Sequence, residues 1–248
     1  MAEDPALDWD LSPPGRGSRR MIIVVVSIVG AILLTISGWR ALHPEPVPTP
    51  ASTADATSGA VVLASPSGYN GDGGNPVGFP HTDLGAVSAA AAALEAEWTL
   101  DTAQAEQSVV LYVPPEQQDA ARAGAQAAAT EWRKTLGLPE SGKLPDGAAM
   151  QTKTVGVQWR TRATDQVQVS LLVQVTATKG IGDPDPVYSR PHARTLLMAW
   201  QAGMRGVGDW VRIPDPVTAA APEAAMPGTP EFTAAGWKPL SGPAAPTP

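Results

Sequence analysis

The sequence predicts a membrane-anchored α+β protein. Three observations lead there. Met21 to Trp39 is an apolar run of 19 residues with no charged side chain. Three helical periodicities follow between about 82 and 136, and four period-2 segments lie between 152 and 213. Helices gathered ahead of antiparallel strands make an α+β domain, with the helices covering one sheet face.

Residues 1–20 hold three Pro and no apolar periodicity, and read as a short disordered cytosolic head. The run 21–39 would reach about 28 Å as a helix, against a hydrocarbon core of about 30 Å. It is read as a transmembrane helix. Arg16, Arg19 and Arg20 abut its start, whereas after Arg40 no Lys or Arg appears until Arg122. That asymmetry puts the N-terminus in the cytoplasm and the remainder outside. A cleaved signal peptide would be shorter and end in a small-x-small site, but Arg40-Ala41-Leu42-His43-Pro44 follows. A buried soluble helix would need a polar face. Met21 and Trp39 bound the anchor, and Trp39 suits the interface. Ser27, Ala31 and Thr35 form a small-residue stripe able to seat a partner helix, although small residues are ordinary in such spans.

Residues 40–78 are rich in Pro, Ala and Gly, with Pro44, Pro46, Pro48 and Pro50 favouring an extended rod. They read as a stalk in which Val61-Val62-Leu63 is a short apolar break. The domain is expected over 79–214, large enough for its own core. Thr82 or Asp83 caps a first helix, in which Leu84, Val87, Ala91, Leu94 and Trp98 make one stripe. Asp101 caps a second, ended by Pro114-Pro115. A third runs from about Glu116 to Leu136, burying Ala121, Ala125, Ala128, Trp132 and Leu136.

Beyond 149 the period becomes 2. Val155, Val157, Trp159 and Thr161 share one expected face, with Thr154, Gln158, Arg160 and Arg162 on the other. Val167, Val169, Leu171, Val173 and Val175 mark the clearest strand. Thr164-Asp165 is short enough for an antiparallel hairpin. His192–Ala202 and Asp209–Ile213 complete a four-stranded antiparallel sheet. Residues 215–248, rich in Pro and Ala, read as a disordered or loosely docked tail.

Two stretches carry a resemblance. Gly78-Phe79-Pro80-His81-Thr82, followed by Gly85-Ala86-Val87, resembles an opening seen in membrane-anchored actinobacterial proteins of conjugative elements. Leu197-Met198-Ala199-Trp200, then Gly208-Asp209-Trp210, resembles the "W…GDW" ending of NTF2-like domains. The plan of head, span, linker and exterior domain is similar to TcpC/VirB8-like conjugation scaffolds. TcpC-like proteins often carry two such domains, whereas this chain has room for one. The abundance of Ala, Gly and Pro over Lys fits a GC-rich genome.

The resemblance implies a non-enzymatic scaffold of a conjugative-transfer, type IV secretion-like apparatus at the cell membrane. Its expected partners are the lipid bilayer, other membrane proteins of the same apparatus and further copies of itself. The alternative is a membrane-tethered binding module for a small ligand or cell-wall component.

The chemistry in the sequence agrees. A net charge of −7 and a pI near 4.9 argue against nucleic-acid binding. Without cysteine there is no disulfide, thiolate nucleophile or Cys-based metal site. His43, His81 and His192 lack the spacing of metal ligands, and neither phosphate-cradle nor nucleophile-elbow motifs occur. No catalytic residue, metal or cofactor is expected. The helical acids, Glu95 and Glu97 among them, read as solvated. Trp98, Trp132, Trp159, Trp200 and Trp210 read mostly as core, with Trp159 the one set at the rim of a pocket or partner surface. Trp159 with Arg160, Arg162, Arg194 and Arg212 is the expected partner surface, set against a solvated sheet face with local ion pairs.

Overall fold

The computed structural model describes residues 59–70, 74–182, 188–216 and 220–241. The expected span with Arg16, Arg19 and Arg20, and its Ser27/Ala31/Thr35 stripe, lie outside them. Among the described residues no helix is long and apolar enough to cross a membrane.

The fold is α+β, with five antiparallel strands in the main sheet rather than four. A small hairpin, β1 (Gly68–Asn70) and β2 (Asn75–Val77), comes first. Thr82 then caps α1 (Asp83–Glu97), its Oγ1 accepting from Gly85 N at 3.0 Å. Asp101 caps α2 (Thr102–Val109), and α3 spans Gln118–Thr135. The sheet follows as β3 (Ala148–Ala163), β4 (Gln166–Lys179), β5 (Tyr188–Gln201) and β6 (Asp209–Ile213). A short helix, α4 (Pro230–Ala234), precedes β7 (Lys238–Pro239). The order across the sheet is β6-β5-β4-β3-β7.

The stripe expected on α1 is too narrow a description. Every residue from Gly85 to Leu94 is buried. One side of the helix packs on β3 to β6, and α2 also meets it. The alanine run permits that approach from several directions, since a methyl group keeps backbones close. The α2–α3 pair has its own small cluster, Ala105, Val109, Val113, Ala121 and Ala125. Trp132 and Leu136 of α3 join Trp98 and the sheet in the main core.

In β3 the alternation slips. The pairing register with β4 shifts between Thr154 and Gly156, leaving Val155 as the extra residue of a bulge. Thr152 and Thr154 therefore share the helix-facing side with Val157 and Trp159, while Val155 turns to the opposite side. Placing Val155 with Val157 on one face was the wrong expectation, because a strict period of 2 ignores an inserted residue.

The tail, expected to be disordered or loosely docked, packs on the sheet over its described residues. Ala225, Phe232 and Trp237 are buried against Leu172 on the sheet face remote from α1, with Val155 and Ala193 alongside. Phe232 lies over Gly156, where an added Cβ would stand 2.9 Å from the ring carbon Cε2. Trp237 Nε1 donates to Glu223 O at 2.8 Å, and Gln158 Nε2 donates to Ala235 O at 2.7 Å.

The folded part also begins earlier than Phe79. Val61 bridges Leu240 in parallel, with Val61 N donating to Pro239 O at 2.8 Å and Ser241 N to Val61 O at 2.9 Å. Ala64 N donates to Ser88 Oγ of α1 at 2.8 Å. The second half of the Pro/Gly-rich stretch is thus fastened by pairing with chain some 180 residues away, which local composition does not reveal.

Truncating Phe232→Ala should lower the unfolding free energy by about 3 kcal/mol, the cost of emptying a buried aromatic site. Denaturant unfolding reads this directly. An unchanged midpoint would mean that the tail is not part of the cooperative unit.

Candidate functional site

The two stretches that carry the resemblance meet in space. Asp209, at the start of β6, is 2 % exposed. Its Oδ2 accepts from Gly78 N at 2.7 Å, and its Oδ1 from Phe79 N at 3.1 Å and Trp210 N at 2.8 Å. Arg205 Nη1 donates to Oδ2 at 2.5 Å, and Arg205 Nη2 donates to Leu111 O. Arg205 sits in left-handed backbone at φ 52, a conformation held here by those contacts. Trp210 Nε1 donates to Pro80 O at 2.9 Å. Tyr112 adds a tie to the same entry, donating its hydroxyl proton to Pro76 O at 2.9 Å. Burial pushes the Tyr112 phenol well above its ordinary range, so it remains a donor.

His81 completes this joint. Its ring stacks on Trp200 at 4.2 Å and 8°, and meets Trp210 edge-on at 5.7 Å. Its Nε2 lies 2.8 Å from Oδ1 of Asp165, in the β3–β4 turn. The bond spans 84 positions and ties the entry of α1 to the sheet. Gly208 fits the stack with φ +90, and a Cβ there would fall 2.5 Å from a Trp200 ring carbon.

The expected partner surface does not form one patch. Arg160 pairs in register with Gln168, on the sheet side away from α1, and Arg160 Nε and Arg162 Nη1 both donate to Gln168 Oε1 at 2.8 Å. Arg194 pairs with Leu171 and Arg212 with Met198, which puts both on the helix-facing side. Arg160 and Arg162, which share Gln168, therefore lie on the face opposite to Arg194 and Arg212. Trp159 is half-buried on the helix-facing side, with Lys238 Nζ 4.3 Å from its ring centroid, a cation–π contact.

Two further acids depart from the solvated reading. Glu97 is 1 % exposed, and its Oε2 accepts from Arg212 Nη1 at 2.6 Å. Its Oε1 has no hydrogen-bond partner. Glu95 remains exposed, yet its Oε1 accepts from Thr154 N at 2.7 Å. The helix wheel places Glu97 off the apolar stripe, but α1 is buried on several sides, so an acid off the stripe still meets protein.

At the other end of the helix-facing side, Trp98, Trp132, Tyr188 and His192 form an aromatic cluster. Ring centroids are 5.4 Å apart for Trp98–Trp132 and 5.3 Å for Trp132–His192, both edge-on. Tyr188 Oη and His192 Nε2 are 2.8 Å apart. Burial, and then the Arg190 charge, hold the His192 imidazole below its usual value. Burial raises the Tyr188 phenol, against the opposing pull of Arg190. The cluster fills its space with rings in contact and leaves a buried Trp132 Nε1 without a partner.

Among the described residues no group of three or more His, Cys, Asp or Glu is arranged to hold a metal ion. Comparison of the chain with protein-family models, with curated proteins and with solved structures finds no match in any of the three.

His192 yields a signed pH prediction. A depressed folded pKa means that the neutral ring is favoured by folding. Its contribution is complete above the unfolded value of about 6.5 and is lost as pH falls through the lower folded value. Thermal midpoints between pH 7.5 and 5 should therefore drop more steeply for the natural chain than for His192→Gln. Parallel slopes would contradict the assignment.

Proposed function

We propose that this chain is a non-enzymatic, single-pass membrane scaffold of a conjugative-transfer, type IV secretion-like apparatus. In this reading residues 21–39 anchor it, the N-terminus is cytoplasmic, and the described domain is an NTF2-like module acting outside the cell through protein–protein contact. Its partners are other membrane proteins of the same machine and further copies of itself.

The observation that carries the reading is the joint at Asp209. The two segments resembling conjugation-type and NTF2-like sequences are distant in the chain yet bind each other directly. A single domain containing both segments accounts for that contact, with the closing strand holding the entry to the first helix. The α+β order, with helices on one face of an antiparallel sheet, supports it further.

The interior supports a contact role over catalysis. Leu94, Trp98, Trp132, Val169 and Leu171 fill the space between helices and sheet, each 4 % exposed or less. The buried carboxylates of Asp209 and Glu97 are each engaged by an arginine. A general acid or base needs a reacting group within reach, and these two face guanidinium groups instead. The same packing disfavours a ligand site within the helix–sheet interior.

Deleting the gene from its host should lower conjugative transfer of the resident element severely, with recovery on supplying the full chain. Transfer at the unaltered frequency would overturn the scaffold reading.

A further inference from the structure

A second polar feature lies away from both the joint and the sheet. The start of α2, the second half of α3 and the loop after α3 border an open crevice of about 310 Å³. Asp101, Gln126, Thr130, Arg133, Glu140 and Ser141 contribute to its lining. That volume is at the small end of ligand sites, which run from about 300 to 1,000 Å³.

Arg133 is the unusual member. It is only 6 % exposed. Its Nε donates to Leu100 O at 2.7 Å and its Nη1 to Gly142 O at 3.0 Å. A guanidinium has five N–H groups, so these two bonds leave three. Among the described residues no carboxylate forms an ion pair with it. The last turn of α3, where it sits, favours a positive charge through the helix carbonyls. Those carbonyls do not supply the flat, two-oxygen partner that a guanidinium fork fits best.

The opposite charge lines the same crevice. Asp101 caps α2 through Oδ1 alone, which accepts from Ala103 N at 2.9 Å and Gln104 N at 3.1 Å. Its Oδ2 takes no part in the cap. Glu140 is exposed on the loop. A simple anion would meet these two carboxylates, and a simple cation would meet Arg133. A molecule carrying both charges satisfies the lining.

We propose that the crevice binds a zwitterion of the amino-acid or short-peptide class. The ligand carboxylate lies on the remaining N–H groups of Arg133. Its ammonium lies towards Asp101 and Glu140, with Thr130, Ser141 and Gln126 as neutral polar neighbours. The site is separate from the helix–sheet interior and does not rest on the scaffold reading, so either can fail alone.

The test uses the full chain, labelled with nitrogen-15 in detergent micelles, and three probes: alanyl-alanine, its N-acetyl form and its C-terminal amide. Alanyl-alanine should give saturable shifts at the amides of Ala103, Ser141 and Gly142. Each singly charged probe should bind about tenfold more weakly or worse, the loss of about 1.4 kcal/mol from one ionic contact. Asp101→Asn retains the capping oxygen but not the charge, and should weaken alanyl-alanine by a similar factor. Arg133→Lys should do so as well. No saturable shift with alanyl-alanine would overturn the proposal. So would equal binding of the N-acetyl form, or unchanged affinity in Asp101→Asn.

Discussion

One buried carboxylate organises the domain. Asp209 takes hydrogen bonds from three backbone N–H groups and one guanidinium. A lone buried charge is costly, whereas one that is paired and fully hydrogen-bonded is tolerated and fixes geometry. Here the fixed geometry is the entry into α1. Gly78 and Phe79 are held on β6, Pro80 is held by the Trp210 indole, and α1 starts three residues later. The direction of α1 across the sheet follows from that start, as does the burial of its alanine face. Arg205, in left-handed backbone, belongs to the same arrangement, because its side chain joins Asp209 to the turn after α2.

A second buried ion pair acts in the same manner. Arg212 reaches from β6 to Glu97 near the end of α1, so the two ends of that helix are tied to one short strand. At the surface, the His81–Asp165 hydrogen bond fastens its beginning to the β3–β4 turn. Buried ion pairs add little net stability when compared with apolar replacements, but removing one partner is strongly destabilising. Their effect here is positional: they set where a helix with almost no side-chain relief must lie. An all-alanine surface offers few knobs to specify a register, and the polar ties supply that specification.

The element types were legible from periodicity. The helices at 83–97 and 118–135 and the strand at 166–179 stand where spacing put them, and Thr82 and Asp101 are the caps. What local pattern could not reveal depends on distant partners. Asp209 reads only as the first residue of a strand until Gly78 is brought beside it. Glu97 reads as solvated because a helix wheel knows one buried face, whereas α1 has protein on several sides. The Val155 bulge shifts the phase of β3 with only Gly156 as a mark, and that glycine makes room for Phe232 of the tail. The tail itself is Pro- and Ala-rich, and its order comes from two aromatic residues on a sheet face. The joint draws together segments 78–80 and 208–210, which no local periodicity connects.

Native-state hydrogen exchange at Gly78 and Phe79 tests the central role of Asp209 most directly. Both N–H groups should exchange only through opening as costly as unfolding of β4, and Asp209→Asn should release them to local opening while β4 stays protected. Rapid exchange at Gly78 and Phe79 in the natural chain, with β4 fully protected, would contradict the account.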